Sequence, residues 1–225
     1  MENKSRPTFR AIAEKPGPRN RRPLRKAGRP SKQSRKSCDI DTVIDAAVRV
    51  FNRHGYEASS MEDVARETGL TKSSIYYHVA SKEELLARAL GRAFDPLLAV
   101  LGEPAAKSGT ALERLQHIIY RAVTITLDFV HEVELLQRVK GNTKTERQAL
   151  QWRRRFDRAV RGIVEDAIAA GDIRRDLDPG LLTRLIFGMS NSITQWYRPA
   201  GRRTAAAIAT AVSSMVFQGI VCKTR

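Results

Sequence analysis

Apolar side chains recur along most of this chain at the three- and four-residue spacing that places them on one face of an α-helix. No stretch of useful length alternates apolar and polar residues as a half-buried strand would. The positions that define the helical faces are Val43, Ala46, Ala47, Val50, Phe51, Leu85, Leu86, Ala89, Leu90, Leu112, Leu115, Ile119, Ala122, Thr126, Phe129, Phe156, Val160, Ile163, Val164, Ala167, Leu182, Leu185, Ile186, Met189, Ile193, Trp196, Ile208, Val212, Met215 and Val216. The sequence therefore predicts an all-α protein.

Glycine, proline and helix-capping residues divide this pattern into elements. Gly55 and Gly69 stand where two early helices should end, because glycine takes the positive φ of a left-handed C-cap without steric cost. Ser60 and Ser81 each precede an acidic residue three positions on, which is the capping-box signature of a helix N-terminus. The helix after Ser81 is expected to bend or end near Pro96.

Residues 61–79 have the layout of a helix-turn-helix. The first short helix ends at Gly69, and Thr71 is placed to cap a second helix that keeps Ile75 for the core. The other side chains of this second helix are short hydrogen-bond donors, a cation and aromatic rings: Lys72, Ser73, Ser74, Tyr76, Tyr77 and His78. Such a set suits the major groove of DNA, and a plain solvated turn would not need the two caps and the tyrosine pair together. We interpret the helix as a DNA reader.

Charge is distributed unevenly along the chain, with a strongly basic segment at the N-terminus. Of the formal net charge of +16, residues 1–37 carry +11, from thirteen Lys and Arg residues against two acidic ones. Because this segment has few large apolar residues, we expect it to be disordered and to favour a polyanionic partner. Its stretch 26–32 resembles the Gly-Arg-Pro core of minor-groove arms. Insertion of Arg29 into a minor groove, a solvated tail, and a start codon placed too far upstream remain alternatives.

Several function classes lack the residues that they need. Cys38 and Cys222 are too few for a disulfide framework or a zinc site, and the four histidines have no metal-ligand spacing. No nucleophile–base pair, pair of carboxylates or glycine-rich phosphate loop is recognisable. No apolar stretch approaches the length of a membrane span or of a signal peptide. We therefore expect a cytoplasmic protein that is not an enzyme and has no cofactor, metal or membrane partner.

Residues 43–90 resemble the N-terminal domain of the TetR family of bacterial regulators. The residues that carry the resemblance are Phe51, Gly55, Ser60, Met61, Glu62, Asp63, Val64, Ala65, Gly69, Lys72, Ile75, Tyr76, His78, Ser81, Lys82, Glu83, Glu84, Leu85 and Leu86. Val79 departs from the family, which more often has Phe there. The resemblance implies phosphate contacts from Tyr76 and Lys82. The whole DNA-binding set that we expect is Thr42, Ser59, Ser60, Thr71, Lys72, Ser73, Ser74, Tyr76, Tyr77, His78 and Lys82.

Two later stretches, 140–146 and 187–199, are similar to the acyl-CoA-responsive branch of this family. The resemblance implies a small-molecule effector, an acyl-CoA thioester, whose binding releases DNA. The expected ligand-binding residues are Phe129, Arg138, Asn142, Trp152, Arg155, Phe156, Phe187, Asn191 and Gln195. Arginine pairs two phosphate or carboxylate oxygens at once, and the aromatic rings suit an acyl chain. The competing interpretation is that the rings belong to the core and the arginines to a solvated face.

The resemblance also implies a homodimer through the last two helices. Small residues alternate there with apolar ones, which allows close packing across a two-fold axis: Gly188, Ser192, Ala207, Ala211 and Ser214. We therefore expect a disordered arm (1–37), a helix-turn-helix DNA-binding domain (38–84) and a helical effector-binding and dimerisation domain (85–225). The expected function is a ligand-released repressor of a palindromic operator. A regulator of the same fold that answers a drug-like ligand and a nonspecific architectural DNA-binding protein are the alternatives.

Overall fold

The computed structural model describes residues 39–199, 201 and 203–221, so the expected arm 1–37, Cys38 and Cys222 lie outside the described residues. This described part consists of helices, and its one β-type pairing is an isolated bridge between Ile173 and Val221. The helices are α1 (Ile40–His54), α2 (Met61–Thr68), α3 (Lys72–Tyr76), α4 (Lys82–Val100), α5 (Pro104–Lys107), α6 (Ala111–Asp128), α7 (Val130–Gln137), α8 (Lys144–Ala169), α9 (Pro179–Trp196) and α10 (Ala205–Ile220). The predicted all-α class is confirmed.

Local capping defines the helix-turn-helix as the sequence predicts. The Ser60 hydroxyl accepts from the Asp63 amide at 3.2 Å, and the Asp63 carboxylate accepts from the Ser60 amide at 2.9 Å. Gly69 adopts the left-handed conformation with φ of 72°. Thr71 caps α3 by accepting from the Ser74 amide at 3.2 Å. The turn between α2 and α3 is therefore fixed by these residues themselves.

Four local expectations need correction. Gly55 has a φ of 82° but a ψ of 148°, which is not the left-handed helical conformation. The Glu84 carboxylate accepts from the Ala80 amide at 2.7 Å and not from Ser81, so the second capping box is incomplete. The helix α4 does not end at Pro96 but continues to Val100, since burial of residues on both sides offsets the one backbone hydrogen bond that proline cannot donate.

The fourth correction concerns Phe129, which the apolar period places on the same helix as Thr126. The helix α6 ends at Asp128, and Phe129 leaves helical geometry with a φ of −120° and a ψ of 41°. A separate short helix, α7, then begins at Val130. The apolar period continues across this bend because both sides of it pack on the interior, so periodicity alone did not reveal the break.

Two hydrophobic cores share α4. The first core joins α1, α2, α3 and the N-terminal part of α4, and it includes Leu135 and Leu136 of α7. The second joins α6, α8, α9 and α10 with Val100 at the end of α4. Leu97 packs against both cores. Because interiors are close-packed, a displacement of α4 or α7 is felt in both halves of the molecule.

Loss of the α2 cap provides a test of this local account. Replacing Ser60 with Ala is expected to lower the free energy of unfolding by about 1 kcal/mol, because the Asp63 amide loses its acceptor. Chemical denaturation measures the change. Ser60→Thr keeps a hydroxyl that can accept from the Asp63 amide and donate to the Asp63 carboxylate, and it is expected to stay close to the wild type; an equal loss in both variants would contradict the capping role.

None of the described helices is long and apolar enough to cross a membrane. Within the same residues, no three His, Cys, Asp or Glu side chains come together as a metal site would require.

Candidate functional site

The helix α3 is anchored by one face and presents the other. Ile75 is completely buried, and Val79 just after the helix is also buried in the first core. Tyr77, in contrast, is 87% exposed, and Tyr76 is 44% exposed. Val79 is smaller than the Phe that the family more often has at this position, but it is still buried beneath α3. A rigid anchor with exposed rings and hydroxyls on the outside is the arrangement that a groove-reading helix needs.

Lys72 opens α3 and pairs with Glu62 of α2. Its ammonium also lies 5.9 Å from the ring centroid of Tyr76. The hydrogen bond between the two side chains raises the pKa of Lys72 and lowers the pKa of Glu62. Both side chains are about half exposed, so water screens the pair and its net stabilisation is small. The pair is therefore weak enough for another anion to compete with Glu62 for the Lys72 ammonium.

The helix α3 ends at Tyr76, so Tyr77 and His78, which the sequence pattern places on it, lie in the turn that follows. The remaining polar residues of α3 and of this turn form one continuous surface. Ser73, Ser74, Tyr77 and His78 surround a shallow groove. The Tyr77 and His78 rings meet edge to face with centroids 5.2 Å apart, and the Thr71 and Ser74 hydroxyls lie 2.8 Å apart. The structure thus brings together the residues that the sequence assigned to the reading helix.

The residues assigned to the flanks of the reading helix differ in accessibility. Thr42 is exposed near the start of α1, and Ser60 is half-buried at the α2 cap. Ser59 is buried, and its hydroxyl donates to the Gly55 carbonyl at 2.6 Å. The Lys82 ammonium is directed at backbone carbonyls of the loop between α1 and α2. Ser59 and Lys82 therefore already have partners inside the protein.

A cavity of about 500 Å³ lies among α4, α6, α7, α8 and α9. Phe156 and Phe187 form part of its wall with ring centroids 5.6 Å apart. Asn191 lies at the same cavity. Three of the nine expected ligand-binding residues are thus gathered at one apolar cavity, which is large enough for a small or medium-sized organic group.

Arginines surround one end of this cavity, namely Arg153, Arg154, Arg158 and Arg161 of α8 with Arg184 of α9. Arg161 pairs with Glu165 at 2.8 Å. Within the described residues, the other four have no carboxylate within salt-bridge distance. The cavity therefore joins an apolar wall to an excess of positive charge, and guanidinium groups pair well with phosphate and carboxylate oxygens.

Among the described residues, Asp157 is the one carboxylate that lines this cavity. Burial raises its pKa, while Arg153 and Arg184 act in the opposite direction without cancelling the effect of burial. A carboxyl group with a raised pKa in the folded state loses favourable interaction as it ionises. Asp157 therefore opposes folding slightly at neutral pH.

Replacing Asp157 with Asn is expected to raise the melting temperature at pH 7. The sign follows from the raised pKa: the favourable contribution of the protonated group is complete below the unfolded-state pKa of about 3.9 and is lost as the pH rises through the folded-state value. The gain of the variant should therefore disappear near pH 3.5. Thermal melts at both pH values test this against Asp95→Asn on the exposed face of α4; a gain that persists unchanged in acid would contradict it.

Two expected ligand-binding residues lie at a different place, between α7 and the DNA-binding half. The Arg138 guanidinium donates to the Asn52 carbonyl at 2.6 Å, and the Asn142 amide donates to Glu57 at 3.3 Å. Both residues line a second cavity, of about 670 Å³, that the α1–α2 loop helps to form. Arg138 and Asn142 thus bridge the two halves and do not reach the cavity of Phe156 and Phe187.

The other four expected ligand-binding residues also lie outside that cavity. Trp152 packs edge to face on Phe94, with centroids 5.6 Å apart, at the first core. Phe129 is half-buried against the second core. Arg155 and Gln195 are exposed elsewhere on their helices. For these residues the geometry agrees with the competing interpretation of core aromatics and solvated polar groups.

The predicted ligand-binding set lacks every charged residue of this cavity, namely Arg153, Arg154, Asp157, Arg158, Arg161 and Arg184. The helical period contained a usable signal for three of them, because Arg154, Arg158 and Arg161 recur at four- and three-residue steps while the predicted Arg155 falls on another face. No comparable signal existed for Arg184, since its place at the cavity depends on how α9 packs against α8.

The helix α7 connects the cavity to the DNA-binding half. Gln137 donates to the Asn191 carbonyl at 3.1 Å and accepts from the Thr194 hydroxyl at 3.2 Å, so it is fixed to α9. The next residue, Arg138, is fixed to α1 through Asn52. The α4 residue Arg92 adds a further link, because it pairs with Asp41 and Asp45 of α1 and lies 3.6 Å from Glu132 of α7.

An apolar face remains exposed on α9 and α10. Among the described residues, four of the six exposed large hydrophobic side chains lie on these two helices, and the other two are Tyr76 at the end of α3 and Tyr77 just after it. The four are Leu181, Leu185, Trp196 and Met215. Gly188 and Ser192 continue the same helical face. Exposed large apolar side chains of this kind are typical of a protein–protein interface.

The family comparisons divide the chain as the architecture does. Residues 43–89 match the model for bacterial regulatory proteins of the tetR family. Residues 108–220 match the model for the tetracyclin repressor-like C-terminal domain. The second match alone spans half of the chain.

Individual relatives and solved structures agree with these matches. The chain is 27% identical to the HTH-type transcriptional repressor KstR2 of Rhodococcus jostii, over 83% of this chain and 93% of that protein. It is 24% identical to the fatty acid metabolism regulator protein of Bacillus subtilis, over 79% and 93%. A TetR transcriptional regulator from Streptomyces coelicolor has 46% identity and a TM-score of 0.75, with coverage of 79% and 90%. AibR, solved with isovaleryl coenzyme A and operator DNA, shares the fold at 23% identity and a TM-score of 0.66, with coverage of 79% and 97%.

Proposed function

The chain belongs to the TetR family of DNA-binding bacterial transcriptional regulators, and on this premise we propose that it is a homodimeric repressor released from a palindromic operator by an acyl-CoA thioester. The observation that carries the proposal is the cavity that joins the Phe156–Phe187 wall to arginines without carboxylate partners. A CoA thioester offers both parts that this cavity complements, because it has an apolar acyl group and several phosphates.

The ligand would be held in three ways. Its acyl group would pack against Phe156 and Phe187, the Asn191 amide would hydrogen-bond the thioester, and Arg158 and Arg184 would pair with phosphate oxygens. A neutral drug-like ligand would fill the apolar part but would make no use of the positive charge of the exposed arginines. Two similar proteins support the same ligand class: one is a fatty acid metabolism regulator, and AibR was solved with isovaleryl coenzyme A.

The DNA contacts would come from α3 and its surroundings. We propose that Lys72, Ser73, Tyr77 and His78 meet base edges or the adjacent backbone. Residues that fix the register by contacting phosphate would be Thr42, Ser60, Thr71, Ser74 and Tyr76. The exposure of Thr42, Thr71 and Tyr76, and the place of Ser73, Ser74, Tyr77 and His78 around one shallow groove, support this assignment.

Ligand binding in the cavity would shift the position of α3 through α7 and α4. An occupant that contacts Asn191 also biases Gln137, and the adjacent Arg138 holds the α1 carbonyl of Asn52. The helix α4 lines the cavity and begins directly after the DNA-binding elements. A coupling of roughly 1–3 kcal/mol, which is typical of allosteric proteins, would reduce operator affinity by about 5- to 150-fold.

The test starts from the operator. Full-length protein is used to select a duplex from random double-stranded DNA, and anisotropy at fixed salt compares it with a shuffled duplex of equal composition. A preference of roughly 10³-fold or more is expected of a specific regulator. Equal affinity for both duplexes would instead favour a nonspecific architectural protein.

The same complex is then titrated with CoA thioesters of increasing acyl length, with free CoA, and with neutral ethyl esters of the same acids. The proposal predicts release by thioesters at lower concentrations than by free CoA or the esters. Release by the esters alone would favour a regulator that answers neutral drug-like ligands.

A further inference from the structure

The Lys82 ammonium is enclosed by the loop between α1 and α2. It donates to the backbone carbonyls of Tyr56, Glu57 and Ser59 at 2.9, 3.3 and 2.8 Å. The same nitrogen lies 4.4 Å from the centroid of the Tyr56 ring, within cation–π range. An ammonium group has three donors, so these carbonyls occupy all of them.

This arrangement differs from that of the other lysine assigned to DNA. Lys72 has a single carboxylate partner on an exposed surface, and a DNA phosphate can compete with that partner. If Lys82 turned toward DNA, three carbonyls of one loop would each lose a hydrogen bond at once. The Tyr56 carbonyl would keep the Ser59 amide as a donor at 3.2 Å, but the bond to the Ser59 carbonyl is partly buried, where its loss is costly. The geometry therefore opposes a direct phosphate contact from Lys82.

The loop that Lys82 holds determines where the reading helix lies. Residues 55–59 run from the end of α1 to the Ser60 cap of α2, and α2 packs against both α1 and α3. The buried Ser59 hydroxyl closes the loop from inside by donating to the Gly55 carbonyl. The Lys82 side chain thus connects the first turn of α4 to the entry of α2.

The neighbouring residue extends the connection to the second half of the chain. The Glu83 carboxylate accepts from the Thr145 amide at 2.9 Å, in the first turn of α8. Burial raises the pKa of Tyr56 to about 12, and the negative charge of nearby Glu83 is the second cause of this shift. The first turn of α4 is therefore fixed to α8 on one side and to the α1–α2 loop on the other.

We propose that Lys82 is a positioning residue for DNA reading: by holding the carbonyls of Tyr56, Glu57 and Ser59, it sets the position of α2 and α3 relative to α4. The family resemblance implies a phosphate contact at this position, and the two roles predict different results. Loss of a positioning residue weakens recognition of the right sequence. Loss of a phosphate contact weakens binding to every sequence and reduces its salt dependence.

The experiment compares Lys82→Met with Lys72→Met, a variant with the same change of charge on the reading helix. Anisotropy titrations over a range of salt concentrations use the duplex selected by the wild type and the shuffled duplex. For Lys82→Met we expect a loss of about tenfold or more on the selected duplex, since one displaced base contact costs that much. Its affinity for the shuffled duplex and the slope of log K against log salt should equal those of the wild type, whereas Lys72→Met should weaken binding to both duplexes.

Two results would overturn the proposal. A slope on the shuffled duplex that falls by about 0.9 for each protomer would identify Lys82 as a phosphate contact. A lower melting temperature with unchanged affinity of the folded protein for the selected duplex would reduce its role to stability alone. The preference of the wild type itself for the selected duplex tests the operator proposal separately.

Tyr56→Leu extends the test to a variant that changes no charge and retains an apolar side chain at this position. It removes the ring beside Lys82 while leaving every cation in place. The proposal predicts the same pattern as for Lys82→Met, with a smaller loss on the selected duplex and an unchanged slope. Wild-type affinity of the folded Tyr56→Leu protein for the selected duplex would contradict it, whether or not Lys82→Met folds.

Discussion

Replacing Leu185 with Glu is expected to produce monomers and to weaken operator binding by roughly 10²- to 10⁴-fold. Leu185 lies in the middle of the exposed apolar face of α9 and is 58% exposed. In a two-fold interface each substitution occurs twice, so two carboxylates would enter an apolar contact without partners. In a dimer, binding of one reading helix holds the second close to its own half-site, which raises its effective concentration. A monomer binds only one half-site and lacks this gain, so we expect operator affinity to fall by the factor given above.

Sedimentation velocity and anisotropy on the selected duplex measure the two effects. Gln151→Glu on the exposed side of α8 introduces the same charge change away from α9 and α10, and it is expected to remain dimeric. Circular dichroism establishes that the Leu185→Glu chain retains its helices. A dimer that persists in Leu185→Glu with operator affinity within twofold of the wild type would refute the proposed interface.

Replacing Arg158 with Gln is expected to raise the concentration of CoA thioester needed for half-release by about 10- to 100-fold. Arg158 lines the arginine-rich end of the cavity and has no carboxylate partner within the described residues. A charge-assisted hydrogen bond contributes about 1.5–3 kcal/mol, which corresponds to this range. Operator affinity without effector should stay within twofold of the wild type, because Arg158 is remote in sequence and packing from α3.

Arg155→Gln is the matched control for Arg158→Gln. It lies three residues away on the same helix, carries the same charge and does not line the cavity. We expect its half-release concentration to match that of the wild type. Equal shifts in the two variants would mean that the general charge of α8, and not the cavity, attracts the ligand.

The helix-turn-helix was predictable because its signals are local. The Ser60 cap, the positive φ of Gly69 and the Thr71 cap each depend on residues a few positions apart, and each occurs where the sequence placed it. The burial of Ile75 follows from the helical period alone. Such features are encoded within one or two turns of chain, so tertiary packing has little opportunity to override them.

The cavity was only partly predictable because its residues come from five helices. Phe156, Phe187 and Asn191 were found, but Arg138 and Asn142 were assigned to the same site when they hold Asn52 and Glu57 instead. Their types suit either role, since an arginine or an amide hydrogen-bonds a ligand as readily as a loop. After the break at Phe129, α7 packs against α1, and this packing brings Arg138 to Asn52. The break could not be predicted because the apolar period continues across it.

The case of Lys82 follows the same logic. Its position at the start of α4 was apparent from the Ser81 cap, but its acceptors lie 23 to 26 residues earlier in the chain. No local pattern distinguishes a lysine that faces DNA from one that faces a loop carbonyl. Lys82 faces loop carbonyls because the α1–α2 loop folds back against the start of α4, and this tertiary contact has no signature in the local sequence.

The most direct test of the account is a titration of the protein bound to its selected duplex with a CoA thioester at constant salt. Fluorescence anisotropy of the labelled duplex follows the complex, and calorimetry on the protein alone establishes that the thioester binds. We predict that anisotropy falls to the value of free DNA as the cavity fills, with Arg158→Gln requiring a higher concentration. Saturation of the protein with thioester while the anisotropy stays at its bound value would contradict the central claim.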